Sequence, residues 1–381
     1  MKTTLEETAL EETALQFPML RQSTPASETF IGSYVAKLEE LLKASNLPPG
    51  MVIALMSNLN FHEQLIPAHI LSSINYCHGF ETPDDQPILA EALKRVNGTG
   101  KINVDFPIRI PIGRNVLQYN FIRGFRPRRA ARKSDTPLDL PFDPSKFNYS
   151  SKLCDPEEFN FMHQDNLDIS FILNRYPFAP YHFLLIPNRK TGNHSQYLDG
   201  ENDRDLIEAF WNFVSNSNLG NSIRLGYNSN SAHASVNHLH AQGFFTTEDW
   251  EPPLDRIARQ SKKQSKKASP EFFLPGTHYL PSSDCPNGLL GFIKEMNTRW
   301  KLGEKLAYCF YLTPKGAYLF PRKYQGDEAY HSCLEQCNFT TGFAFFEMLG
   351  EIVCPAKDVS IFDLEDIEEK TKRLYGLLSL N

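Results

Sequence analysis

Val236-Asn237-His238-Leu239-His240-Ala241-Gln242-Gly243-Phe244-Phe245 is the stretch on which the fold turns. Read as a strand, it sends alternate residues to one face, so His238, His240 and Gln242 share a side in steps of about 6.6 Å. Leu239 and Ala241 then face a core. A strand built only for packing would not line a face with two imidazoles and an amide, because buried polar groups cost free energy unless each is partnered. Three chemistries fit. Metal ligation by His238 and His240 lacks a third ligand nearby in sequence. General acid–base work suits either imidazole. Nucleophilic attack on phosphorus suits a neutral imidazole, with Gln242 donating to a phosphoryl oxygen.

Immediately upstream, Gly226-Tyr227-Asn228-Ser229-Asn230-Ser231-Ala232-His233-Ala234-Ser235 is a small, polar loop that can bring backbone N–H groups and the Ser235 hydroxyl to a phosphate. Further back, Asn174–Pro187 runs through Tyr181-His182-Phe183-Leu184-Leu185-Ile186-Pro187 and is followed by His194-Ser195-Gln196. Strands are expected at 168–174, 182–186, 222–227 and 236–245, with an amphipathic helix over 203–214 between the two pairs. A second strand-rich block follows at 306–312, 317–321 and 342–346, ending in a helix over 364–378 with Asp363 as N-cap. Near the start, Ile31, Val35, Leu38 and Leu42 mark a helix that stops at Pro48-Pro49-Gly50. A strand is expected over 116–122. Strands and helices in this order describe an α+β protein around an antiparallel sheet, and the two similar blocks suggest a duplicated unit.

The chain has 381 residues, 41% hydrophobic and 22% charged, which suits a large core and excludes a disordered or collagen-like chain. Its formal net charge of −6 argues against general nucleic-acid coating, which needs excess basic charge. Seven cysteines without a Cys-x-x-Cys pair point to reduced thiols in the cytoplasm rather than a disulfide framework or zinc site. No secretory signal and no membrane span are expected, and no redox cofactor. Residues 5–14 repeat Leu-Glu-Glu-Thr-Ala and read as part of a flexible acidic leader over 1–28. The Arg-rich segment 123–132 and the Lys-rich segment 262–267 read as solvated loops, with an anion-meeting rim as the sharper alternative for the first.

His-Leu-His-Ala-Gln after a small-residue loop, preceded by Tyr181-His182-Phe183-Leu184-Leu185-Ile186-Pro187, resembles the histidine triad superfamily. Gln242 stands where the hydrolase branch has a third histidine, as in the transferase branch that includes galactose-1-phosphate uridylyltransferase and the diadenosine tetraphosphate phosphorylases. A narrower resemblance, to the GDP-hexose phosphorylases (GDP-D-glucose and GDP-L-galactose phosphorylases), is carried by Pro141-Phe142-Asp143-Pro144-Ser145-Lys146-Phe147-Asn148-Tyr149, by Gly226–Ser229 and by Ala234–His240. Gly350–Val353 and Lys357-Asp358 are similar to that family's last strand and turn.

The resemblance implies a duplicated, uridylyltransferase-like fold. Its catalytic half would span 140–260, after N-terminal elements and a basic loop over 29–139 and before a second strand-rich half over 261–381. It implies a nucleotidyltransferase that converts GDP-hexose and inorganic phosphate to GDP and hexose 1-phosphate. His240 would be the nucleophile that carries GMP, His238 would orient it through its carbonyl, and Gln242 would donate to the α-phosphate. Ser235, Asn228, Asn148, His194 and Lys152 would contact substrate. Related transferases are often homodimers. A dinucleoside polyphosphate phosphorylase with the same chemistry is one alternative, and a nucleotide-binding protein without turnover is another. Two departures from the family pattern are an extra residue before Lys152 and a histidine, His233, inside the small-residue loop.

Overall fold

Segments rich in branched and aromatic residues pair edge to edge, and each exposed peptide group is satisfied by its neighbour rather than by water. The structure is a computed structural model that describes residues 15–79, 85–125, 136–164, 166–192, 194–215, 218–263, 272–355 and 363–380. In chain order its strands are β1 (Ile66–Pro67), β2 (Lys101–Ile102), β3 (Ile108–Ile112), β4 (Asn115–Tyr119), β5 (Glu158–Gln164), β6 (Leu167–Leu173), β7 (Phe183–Pro187), β8 (Ile223–Asn228), β9 (Ala241–Phe245), β10 (His278–Pro281), β11 (Leu306–Thr313), β12 (Gly316–Lys323) and β13 (Glu351–Cys354). Its helices are α1 (Pro25–Lys43), α2 (Pro49–Phe61), α3 (His69–Ser72), α4 (Asp85–Leu93), α5 (Phe121–Phe125), α6 (Arg204–Ser215), α7 (Pro253–Lys263), α8 (Asn287–Lys301), α9 (Glu328–Glu335), α10 (Phe345–Met348) and α11 (Leu364–Leu378).

The architecture is α+β. Both strand-rich blocks enter one eight-stranded antiparallel sheet in the order β10-β12-β11-β8-β9-β7-β6-β5. The blocks meet where β11 pairs with β8, with Phe310 opposite Tyr227 and Tyr311 opposite Gly226. A second, three-stranded sheet has the order β13-β4-β3, with β13 parallel to β4.

The central strands have two different faces. Directly opposed residues share a face, so Phe183, Gly243 and Leu225 lie together, and Leu184, Gln242 and Gly226 lie on the other side. The first face packs Phe183 against Phe30 of α1 and Phe213 of α6, with ring centroids 5.2 and 6.1 Å apart. The second face carries the small cluster of Tyr149, Cys154, Ile172, Leu184 and Ile186, beside which the site is built.

Several expectations need correction. The strand expected over 236–245 begins only at Ala241, because residues 236–240 pair with neither β7 nor β8. Nor is 342–346 a strand. Gly342 sits at φ 146 beside the His233 ring, the Ala344 N–H is capped by Glu347, and α10 starts at Phe345; the real strand is β13. The strand expected over 116–122 ends at Tyr119, and α5 follows. Pro49 and Gly50 do not merely end a helix. They open α2, whose every residue is buried, so it has no polar face for periodicity to reveal.

The leader is also shorter than expected. Leu20 bridges to Thr247, and α1 starts at Pro25 behind a Thr24–Ser27 capping box. The helix over 364–378 is found with those bounds, and Asp363 accepts from Glu365 N–H and Asp366 N–H. The repeat at 5–14, the Arg-rich segment from 126, the Lys-rich segment from 264 and Lys357-Asp358 lie outside the described residues.

Gly243 shows how tightly the site strand is packed. A Cβ there would lie 2.1 Å from the Phe183 ring. Gly243→Ala should therefore cost about 1–3 kcal/mol through overpacking, read as a lower urea midpoint with unchanged slope. Adding Phe183→Leu should recover part of the loss. A single variant as stable as the parent would refute the packing argument.

Candidate active site

Residues 228–240 leave β8, turn through the small-residue loop and bend back toward β9. The return is held by side chains in place of a ladder. The amide of Gln196 accepts from His240 N–H at 2.8 Å and donates to the His240 carbonyl at 3.0 Å and the Asn228 carbonyl at 2.9 Å. The Leu239 N–H donates to the His194 carbonyl at 2.9 Å. Asn237 accepts from Gln196 N–H and Asn230 Nδ2, and donates to the Leu140 and Pro141 carbonyls.

This framing fixes the His240 ring. Its Nδ1–H donates to the His238 carbonyl at 2.7 Å, so Nε2 keeps the lone pair. His240 is 4% exposed and lines a cleft of about 720 Å³ with Gln242 and Ser235. Burial lowers its pKa to about 4, although the bond to the His238 carbonyl acts in the opposite sense. The ring is therefore neutral near pH 7, the form that can attack an electrophile.

His238 is fully buried and does not line the cleft. Its Nδ1 accepts from Tyr149 N–H at 3.0 Å, and its ring lies against Tyr149 and Phe142. Burial first, then the nearby His240, His194 and Arg189, bring its pKa to about 4. Arg189, also buried, ties this wall down. It donates to the Tyr149 carbonyl at 2.7 Å and pairs with Asp155 at 2.7 Å and Glu158 at 2.9 Å.

Gln242 sits where β9 pairs with Leu184 and Gly226. Behind it His182 is fully buried and accepts from Phe178 N–H at Nδ1, 3.2 Å away. His182 Nε2 lies 3.1 Å from the Asn174 amide nitrogen, and the ring also bonds the Gln242 side chain. Burial, then Arg123, holds the His182 pKa well below the usual imidazole range, so the ring is neutral.

The opposite wall is the 140–149 segment, with Phe142, Asp143, Lys146, Phe147 and Tyr149. Glu157 and Arg175, paired at 2.6 Å, line one end, and the Arg175 guanidinium lies over Phe147. Apolar walls with few converging polar groups are typical of small-molecule sites.

The structure brings His240, Gln242 and Ser235 to the cleft, with His238 directly behind. The other candidates sit elsewhere. The Asn228 amide oxygen accepts from Phe345 N–H and Cys309 Sγ, so it serves the core. Asn148 caps its own turn and lines a smaller hollow on the far side of the 142–147 segment. His194 contributes its carbonyl to Leu239, and Lys152 is exposed in a turn of 3₁₀ helix; neither lines the cleft. His233 does not line it either. Its N–H is held by Gln325, and its Nε2 meets the Tyr330 hydroxyl at 3.0 Å.

Arg123, the first residue of the expected solvated loop, instead donates to the Tyr176 carbonyl of the cleft wall. Among the described residues no three His, Cys, Asp or Glu side chains cluster as a metal site, and no helix is long and apolar enough to cross a membrane. Gln196, Asn237 and Arg189 were not foreseen. The signal that could have found them is polarity inside otherwise apolar, strand-flanking sequence.

Residues 114–244 match the profile of the GDPGP1-like N-terminal domain. This stretch is similar to that domain. It ends within β9 and contains His238, His240 and Gln242. No curated protein matches the sequence. Among solved structures, the chain is similar to the yeast Ap4A phosphorylase Apa2 in complex with Ap4A, at 16% identity and a TM-score of 0.43, over 79% of this chain and 98% of that one. It is also similar to an ADP-glucose phosphorylase from Arabidopsis thaliana with bound ADP-glucose, at 16% identity and a TM-score of 0.28, over 72% and 99%.

Burial keeps His62, His182, His233, His238 and His240 neutral when folded, with values near 3 for His62 and His233. The unfolded chain binds protons at these rings below about pH 6.5, so stability is full above that pH and is lost as pH falls toward about 4. The unfolding free energy from urea titration should drop from pH 7.5 to pH 5, by about 2 kcal/mol for a ring whose folded pKa is near 4 or below. His62→Gln, remote from the cleft, should flatten the slope. A midpoint unchanged over that range would contradict the burial of neutral rings.

Proposed function

We propose that the chain is a nucleotidyltransferase-type phosphorylase whose substrates are a GDP-hexose and inorganic phosphate, with His240 as covalent nucleophile. The observation that carries the reading is the His240 ring, with Nδ1–H bound to the His238 carbonyl at 2.7 Å and a neutral Nε2 in the cleft. The GDPGP1-like domain over 114–244, which holds that ring, supports the substrate class.

The chemistry has two displacements. The Nε2 lone pair attacks the α-phosphorus as the bond from that phosphorus to the bridging oxygen breaks, and hexose 1-phosphate leaves. The ring now carries GMP through a P–N bond, and its remaining proton on Nδ1 stays with the His238 carbonyl, which stabilises the positive charge. An oxygen of inorganic phosphate then attacks the same phosphorus, the P–N bond breaks, and GDP leaves with the histidine restored. Splitting one displacement into two makes each easier. The Gln242 NH₂ and Ser235 hydroxyl donate to the α-phosphoryl oxygens. A neutral amide at 242 has no proton to give a leaving group, which favours transfer over hydrolysis.

The test is covalent labelling with α-labelled GDP-glucose and, separately, labelled diadenosine tetraphosphate. The expected result is acid-labile, base-stable label from GDP-glucose, absent in His240→Ala and discharged by phosphate as GDP. Label only from the dinucleotide would move the substrate to dinucleoside polyphosphates. Nucleotide affinity without label or turnover would overturn the enzyme reading. Gln242→Ala should lower kcat by about 10²-fold, as loss of one oxyanion donor does, with nucleotide affinity little changed.

A further inference from the structure

We propose that Gln196 is the positioning residue of the nucleophile: its side-chain amide replaces the absent strand partner of residues 236–240 and sets where the His240 ring sits. The proposal rests on His240 being the nucleophile. Gln196 is fully buried, and both ends of its amide are spent on backbone. Oε1 takes the His240 N–H at 2.8 Å, and Nε2 gives to the His240 carbonyl at 3.0 Å. Binding both the N–H and the C=O of one residue is what a neighbouring strand does at a hydrogen-bonded antiparallel pair. Here a single side chain does it, one residue before β9 begins.

The same Nε2 reaches the Asn228 carbonyl, the last of β8, so the amide joins the two strands across the mouth of the loop. Gln196 is itself held at both backbone ends, by Asn237 Oδ1 and by the Tyr227 hydroxyl at 2.8 Å. Asn237 continues the network to the Leu140 and Pro141 carbonyls of the cleft wall. The distance from His240 Nδ1 to the His238 carbonyl depends on the backbone between them, and the amide of Gln196 fixes one end of that backbone. The donor–acceptor pattern is specific to an amide. A carboxylate would face two carbonyl oxygens without a proton, and a methyl group would leave the His240 N–H and C=O buried without this partner.

The experiment uses Q196A and Q196E in the full chain, with single-turnover formation of nucleotidyl-protein from α-labelled GDP-glucose. In Q196A, kcat and the labelling rate should both fall by about 10²-fold, the scale of a 1 Å misplacement. KM should stay within about threefold, because no substrate contact is removed. In Q196E a protonated carboxyl supplies one acceptor and one donor, so the ratio of variant to wild-type kcat should fall as pH rises from about 5.5 to about 8. His240 is already neutral over that range in the wild type.

Turnover of both variants within about threefold of wild type, a loss confined to KM, or a Q196E profile parallel to wild type would overturn the proposal. If Q196A does not fold, the Q196E profile decides. If the wild type forms no nucleotidyl-protein, the functional reading fails separately, and ¹⁵N NMR of the His240 ring judges Gln196. A single Nδ1–H tautomer in wild type and a mixture in Q196A would support the assignment. The same single tautomer in both would overturn it.

Discussion

The hydrogen bond from His240 Nδ1 to the His238 carbonyl is the contact on which the rest of the site depends. It spans two residues of one chain segment, so it needs no partner from elsewhere, but it forms only if the backbone of that segment is held in place. The sheet does not hold it, since β9 begins at Ala241. The holding falls to Gln196 at one end and, through Tyr149 N–H, to the 140–149 wall at His238. Arg189 then anchors that wall to the region of β5 through Glu158 and to Asp155. An imidazole just before a strand thereby gains access to a cleft without losing its orientation.

Electrostatics follow from the same placement. Enclosed by aromatic rings and aliphatic strands, the two site imidazoles lose their charged forms to desolvation, which in His240 outweighs the favourable bond to a carbonyl. The acidic average of the chain has little part in this. The charged residues of the described cleft are neutralised locally, with Glu157 on Arg175 and Asp143 on Lys146. Beside these pairs the cleft is lined by neutral polar side chains, Gln242 and Ser235 among them.

Much of the sheet could be read from residue type, because branched and aromatic runs at 168–174, 182–186 and 306–312 have few other ways to bury themselves. Each appears within a residue or so of its expected bounds. The failures share a cause. Gly342–Phe346 has strand composition, but a close approach to His233 and a capping carboxylate at Glu347 turn it into a helix start. α2 is apolar all round and carries no periodic signal. Asn228 sits inside a family-like motif, yet the side of the strand it faces is decided by α10, which places Phe345 N–H against it.

By itself the sequence determined the α+β class, the course of most strands of the large sheet and the chemistry of the His-Leu-His-Ala-Gln side chains. Those follow from alternation, composition and local bonding, which need only neighbours along the chain. Only the tertiary structure decided which polar residues reach the cleft and which are consumed in the core. Gln196 lies 44 residues from the ring it holds, and Arg189 lies 40 from the carbonyl it anchors. Contacts over such separations form only after the strands have packed, so no local pattern encodes them.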